Sequence, residues 1–142
     1  MQTAGGIVQQ QKDVNAPLIL IVDDEPTIRD MLAFLLHLAG YQTVTAAHGI
    51  EALALIANST PDLVLSDVMM PVLDGAELCR RLKSAPLTES IPVILMSGLK
   101  TSNSKVFGAD AFLAKPFSLE EVEGLVSFWL SKSVAKMRLS GT

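Results

Sequence analysis

Cysteine is almost absent. Cys79 stands alone in 142 residues, so no internal disulfide can form and a reducing compartment suits the chain. Set among apolar residues at helical spacing, it reads as a small core side chain, not as a reactive thiol. Charge is also scarce: charged residues make up 18%, the net charge is −4 and the pI is near 5.0. Phosphate binding wants a basic stripe, and no such stripe is present, so no direct DNA binding is expected. No apolar run approaches the roughly 18 residues of a membrane span, and the N-terminus has no charged leader region. No membrane contact and a cytoplasmic location are therefore expected. Core material is abundant instead, with 49% hydrophobic residues and a mean hydropathy of +0.40, enough for one domain with a sizeable core.

Residues 1–16 are polar and read as a mobile N-terminal arm ending at Pro17. From there short apolar runs alternate with helical patterns. LILIV (18–22) is a continuous β-rich run, expected of a strand buried on both faces. Pro26 suits a first helical position, Ile28, Met31, Leu32, Leu35 and Ala39 follow at helical spacing, and Gly40 is placed to end that helix. YQTVTAA (41–47) is a less apolar strand, expected nearer an edge, and GIEALALIANS (49–59) a short helix. DLVLS (62–66), IPVILMS (91–97) and DAFLA (110–114) read as further strands, with a helix opened by Asp74 over 74–84. The last helix begins at a capping box, Ser118 to Glu121, with acids early and Lys132, Lys136 and Arg138 late, as its dipole favours. Five strands alternating with helices predict an α/β fold with a parallel sheet covered on both faces. Ligands of such sheets bind beyond the carboxyl ends of the strands.

Those ends carry chemistry. The first strand leads to Asp23 and Asp24, the third to Asp67, the fourth to Ser97, and the fifth to Lys115 before Pro116. Three carboxylates in one crevice repel unless a cation joins them, and a hard divalent ion such as Mg²⁺ or Mn²⁺ fits their oxygens. Asp23 and Asp24 also suit a helix cap, but a cap needs one residue and leaves the duplicated acid unexplained.

The stretches ILIVDDEP, LVLSDVMMPVLDG, VILMSG and FLAKPF, in this order, resemble the receiver domain of two-component response regulators over about residues 17–131. The resemblance implies a flavodoxin-like, doubly wound five-stranded sheet of order 2-1-3-4-5, in a stand-alone receiver of the chemotaxis kind. It implies that Asp67 accepts a phosphoryl group from a sensor histidine kinase or histidine phosphotransfer protein, with no enzymatic activity beyond intrinsic self-phosphorylation and dephosphorylation. Asp24 would bind the metal directly, Asp23 mainly through water, Asp67 through its carboxylate and Met69 through its backbone carbonyl. Lys115 would pair with the phosphoryl oxygens, and Ser97 would hydrogen-bond one of them after transfer. Phe112 would couple to Ser97 as a switch, although a plain core aromatic fits it equally, and Pro116 is a candidate cis proline. Physics agrees with the scheme: phosphoryl transfer needs in-line positioning and neutralisation of charged oxygens. Pro71 and the Asp74–Gly75 pair make a tight loop that can keep the Met69 carbonyl turned to the metal, with Gly75 giving room to turn.

The chain also departs from the pattern. Residues 98–108 are polar and short, which predicts a fourth helix truncated or replaced by a loop. Met69 and Leu99 are apolar where side chains help position the hydrolytic water, which predicts slow self-dephosphorylation. After Trp129 too few residues follow for a DNA-binding module, leaving residues 132–142 as a tail or helix extension. The last helix is apolar nearly all round, which suggests a homodimer or a downstream protein partner, or burial by the tail or the arm. An aspartyl-nucleophile phosphatase would want an acid where Met69 stands. A flavodoxin-type nucleotide site would find phosphate repelled by DDEP.

Overall fold

The computed structural model describes residues 15–98 and 107–141. Leu99 and most of the polar segment expected to shorten the fourth helix lie outside the described residues, as does most of the N-terminal arm.

The continuous apolar runs form the centre of the sheet. Strands β1 (Leu18–Val22), β3 (Leu63–Asp67) and β4 (Val93–Ser97) are buried along essentially their whole length. The less apolar runs, β2 (Gln42–Ala46) and β5 (Ala111–Ala114), are partly exposed and lie at the two edges. All neighbours pair in parallel in the order β2-β1-β3-β4-β5, as a doubly wound sheet requires. The third strand extends one residue beyond the expected run, because Asp67 pairs with Met96.

Alternate strand residues feed two cores. Leu20, Val22, Val64, Val93 and Leu95 pack on one face against α2 (Gly49–Asn58) and α3 (Gly75–Lys83). Cys79 belongs to this core, fully buried, and burial pushes its thiol pKa up, so it is a packing residue. On the other face Ile19, Ile21, Leu63, Leu65, Ile94 and Met96 meet α1 (Pro26–Leu38) and α4 (Leu119–Gly141). Among the described residues the two faces together leave 27 apolar residues buried, so the sheet is covered on both sides as the uninterrupted strands demand.

Local signals set the helix ends. Gly40, with φ of +103°, closes α1: its N–H reaches His37 O and the next N–H, from Tyr41, reaches Leu36 O. That pair of bonds is a Schellman cap, which needs a left-handed residue. At the start of α1 the N-cap is Glu25, with no side-chain cap bond, so neither Asp23 nor Asp24 caps the helix. At α4 the capping box forms in both directions: Glu121 N–H donates to Ser118 Oγ at 3.1 Å and Ser118 N–H to Glu121 Oε1 at 2.8 Å. A link the sequence did not reveal joins distant segments. Lys83 Nζ donates to Asp110 Oδ2 at 2.6 Å and to Ile91 O at 2.7 Å, while Val93 N–H donates to the same Asp110 oxygen. It fastens the entrance of β5 to α3 and to β4.

Helix α4 has 23 residues, about 34 Å at 1.5 Å per residue, roughly twice the span of a five-residue strand. Its Val122, Val126 and Leu130 are buried, whereas Leu119 and Phe128 are exposed. The Lys132 ammonium lies 5.3 and 5.4 Å from the Phe128 and Trp129 ring centres, a cation–π contact that partly covers this face. No helix among the described residues is long and apolar enough to cross a membrane.

Replacing Ser118 by Ala removes one arm of the capping box and is expected to cost about 1 kcal/mol. Urea denaturation of the variant beside the wild type checks this value.

Candidate functional site

The carboxyl ends of β1, β3, β4 and β5 form one edge, and the sheet register determines what stands there. β1 and β3 are neighbours, so the residues that follow them are brought together. Carboxylate oxygens of Asp23, Asp24 and Asp67 lie within 4.8 Å of one another. Asp23 is fully buried, Asp67 is 6% exposed, and Asp24 is open to solvent. From the β5 side Lys115 reaches in, with Nζ 3.4 Å from both Asp23 Oδ2 and Asp67 Oδ1. Three negative charges against one positive leave an excess of two, which a divalent cation would balance. An octahedral Mg²⁺ with ligands at about 2.1 Å brings its oxygens roughly 3–4 Å apart, close to the spacing of this cluster.

Backbone bonds hold these groups in place. Asp23 N–H donates to Ala46 O at 3.2 Å, and Asp23 Oδ1 accepts from Glu25 N–H at 2.9 Å. Val68 N–H donates to Met96 O at 2.9 Å, and Gly75 N–H returns to Val68 O at 2.9 Å, closing the loop after Asp67. Lys115 N–H donates to Ser97 O at 2.9 Å, so the lysine and the serine are linked through the main chain. The peptide bond between Lys115 and Pro116 is cis. Ser97, at the end of β4, is 1% exposed and stands one residue beyond Met96, the partner of Asp67.

The remaining candidates lie around this centre. Met69 is exposed, and its backbone N–H is hydrogen-bonded to the Asp67 carboxylate. Phe112 is not in the pocket: it pairs with Leu95, is half-buried in the α2/α3 core and stacks on Phe107 with ring centres 6.2 Å apart.

Two features escaped the sequence reading. Gly75 is needed for closeness, not for turning: a Cβ there would sit 2.1 Å from Asp67 O, which no side chain permits. The loop takes its positive φ at Val72 instead, φ +68°. Arg29 is the second, with Nη1 donating to Asp23 O at 2.9 Å. The signal for Gly75 was its place one helical cap away from the acid, and that for Arg29 was a cation in the opening turns of a helix.

Burial pushes the Asp67 carboxyl above the usual carboxylate range. Lys115 opposes that rise, the Asp23 charge adds to it, and the Met69 N–H works against it. A carboxyl whose pKa is higher folded than unfolded binds its proton more tightly in the folded state, so it lowers stability as pH rises through that range. In metal-free buffer Asp67→Asn is therefore expected to melt above the wild type at neutral pH, with the difference shrinking on acidification. Thermal melts across acid to neutral pH check this. Gly75→Ala is expected to destabilise by about 1–3 kcal/mol through overpacking against the Asp67 backbone, measured by urea denaturation.

A parallel 2-1-3-4-5 sheet with an acid-rich pocket and one lysine at its carboxyl edge defines a class. The family model of the response regulator receiver domain matches residues 19–127. The chain belongs to the response regulator receiver domain family. It is 40% identical over 110 residues to the DNA-binding dual master transcriptional regulator RpaA of Synechocystis, covering 75% of this chain and 46% of that protein. It is 44% identical over 108 residues to the phosphate regulon transcriptional regulatory protein PhoB of Pseudomonas aeruginosa, covering 73% and 47%. Among solved structures, the signal receiver domain of a signal transduction histidine kinase from Syntrophus aciditrophicus superposes with a TM-score of 0.77 at 40% identity, covering 82% of this chain and 92% of that one.

The chain thus spans about half the length of these two regulators. This corrects the expectation of no direct DNA binding, which rested on low charge and short length. An acidic segment matching under half of a DNA-binding regulator shows that receiver charge does not report on contacts made elsewhere in a chain.

Proposed function

We propose that Asp67 accepts a phosphoryl group from the phosphohistidine of a sensor kinase or a histidine phosphotransfer protein, and that the modified chain switches a surface read by a downstream protein. The observation that carries this reading is the Asp67 carboxylate at a strand end, set between two further acids and the Lys115 ammonium. In this reading residues 17–131 are the working receiver, and residues 132–141 extend its last helix.

The Asp67 carboxylate oxygen attacks the phosphorus in line, the P–N bond to the donor imidazole breaks, and the bond pair leaves with the imidazole. Asp24, Asp67 and the Met69 carbonyl would hold a Mg²⁺ or Mn²⁺ ion, with Asp23 acting mainly through water. That ion supplies charge neutralisation at the transferring oxygens. Lys115 gives up its share of Asp67 to pair with a phosphoryl oxygen, and the Ser97 hydroxyl donates to another. The backbone bond between Lys115 and Ser97 makes these two responses act together. Phe112, packed on Phe107, transmits the shift through ring packing, since it has no hydroxyl to exchange.

Incubation with Mg²⁺ and a small acyl-phosphate donor, followed by intact mass, tests the reading. One added phosphoryl group is expected in the wild type, and none in Asp67→Asn or with the metal chelated. A label that persists in Asp67→Asn contradicts it. Because the Met69 side chain offers no polar group to orient water, the phosphorylated form is expected to decay slowly. Decay within seconds in Mg²⁺ at neutral pH would count against this.

A further inference from the structure

Every polar atom of Asp23 is held. Its N–H is bonded to Ala46 O, Oδ1 accepts from Glu25 N–H, Oδ2 faces Lys115, and its carbonyl accepts from the Arg29 guanidinium. Asp24 differs. It is exposed, and no side-chain hydrogen bond orients it among the described residues. Its carboxylate is aimed by its backbone alone, and that backbone begins at the Asp23 carbonyl.

Arg29 is out of place by local rules. It lies in the opening turns of α1, where the helix dipole disfavours a cation, and that first turn carries no acid to offset it. It makes no ion pair with any carboxylate among the described residues. A residue that breaks a local preference without a local gain points to a need elsewhere. The target of its bond names that need. A guanidinium forked onto Asp23 or Asp67 would occupy the oxygens that a cation requires. Bonded to the Asp23 carbonyl instead, Arg29 fixes the peptide between the two acids and itself takes no carboxylate oxygen.

We propose that Arg29 is a positioning residue for the divalent-cation site, locking the Asp23–Asp24 peptide so that Asp24 stands ready to ligate. The inference rests on the reading of the three acids as a Mg²⁺ site. Two physical effects of Arg29 oppose each other. As an anchor it strengthens metal binding, and as a nearby cation it weakens binding by repulsion. Removing it therefore separates them by sign.

Calorimetric titration of Mg²⁺ into the unphosphorylated chain reads this directly. Arg29→Met, which keeps the apolar stem but no donor, is expected to bind Mg²⁺ on the order of tenfold more weakly, the usual cost of losing a supporting hydrogen bond around a metal site. Arg29→Lys, which keeps both a charge and a donor, is expected to recover most of the loss. Melts without Mg²⁺ establish that each variant is folded, and Arg29→Leu, which also lacks a donor, is read in the same way should the Met variant fail to fold. Mg²⁺ affinity in Arg29→Met equal to or tighter than wild type overturns the proposal, as does a Lys variant no better than the Met one. Wild type that binds no Mg²⁺ overturns the metal-site reading itself, and with it the proposal.

Discussion

Three carboxylates held at one sheet edge against a single lysine are the constraint on which the rest of this structure depends. Two unit charges about 4 Å apart repel by roughly 1 kcal/mol in water and about 4 kcal/mol near a protein surface. Left to itself the edge would open or take up protons. It stays closed because its acids are extensions of buried strands. Asp23 follows β1 and Asp67 ends β3, and moving either apart would break ladder bonds between two buried central strands of the sheet. The apolar strands are thus not only a core: their burial on both faces is what keeps like charges together.

The same arrangement gives the site its communication lines. The loop after Asp67 is sewn to β4 through Val68 and Met96, and the lysine is sewn to the β4 end through Ser97. β5 is fastened at its entrance by Lys83 and Asp110, which tie this edge strand to its neighbours. A new anionic group on Asp67 would draw on Lys115 and Ser97 at once. Phe112 would feel that change three residues before Lys115 along a tethered strand.

Much of this was legible in the sequence. LILIV, DLVLS and VILMS show no polar alternation, and strands of that kind must be central, so the order of elements and the covered sheet followed. Once the strand ends were known, the convergence of Asp23, Asp24, Asp67 and Lys115 followed too, because the chemistry sits one or two residues beyond each run. What sequence could not supply were contacts set by distance in space. The bond from Arg29 to the Asp23 carbonyl and the 2.1 Å approach of a Gly75 Cβ to Asp67 O depend on how helices meet loops. The clasp between Lys83 and Asp110 joins residues 27 apart. Charge misled in one respect. The acidic balance of this segment describes the segment alone, and relatives twice as long include a DNA-binding regulator.

The most direct test of the central claim is to locate the phosphoryl group chemically. The chain is phosphorylated with Mg²⁺ and a small acyl-phosphate donor, reduced with borohydride, digested and sequenced by mass spectrometry. Borohydride converts an aspartyl phosphate to homoserine, so homoserine at position 67 is the expected result. Homoserine at another aspartate, or none in a chain that has gained a phosphoryl group, would contradict the account.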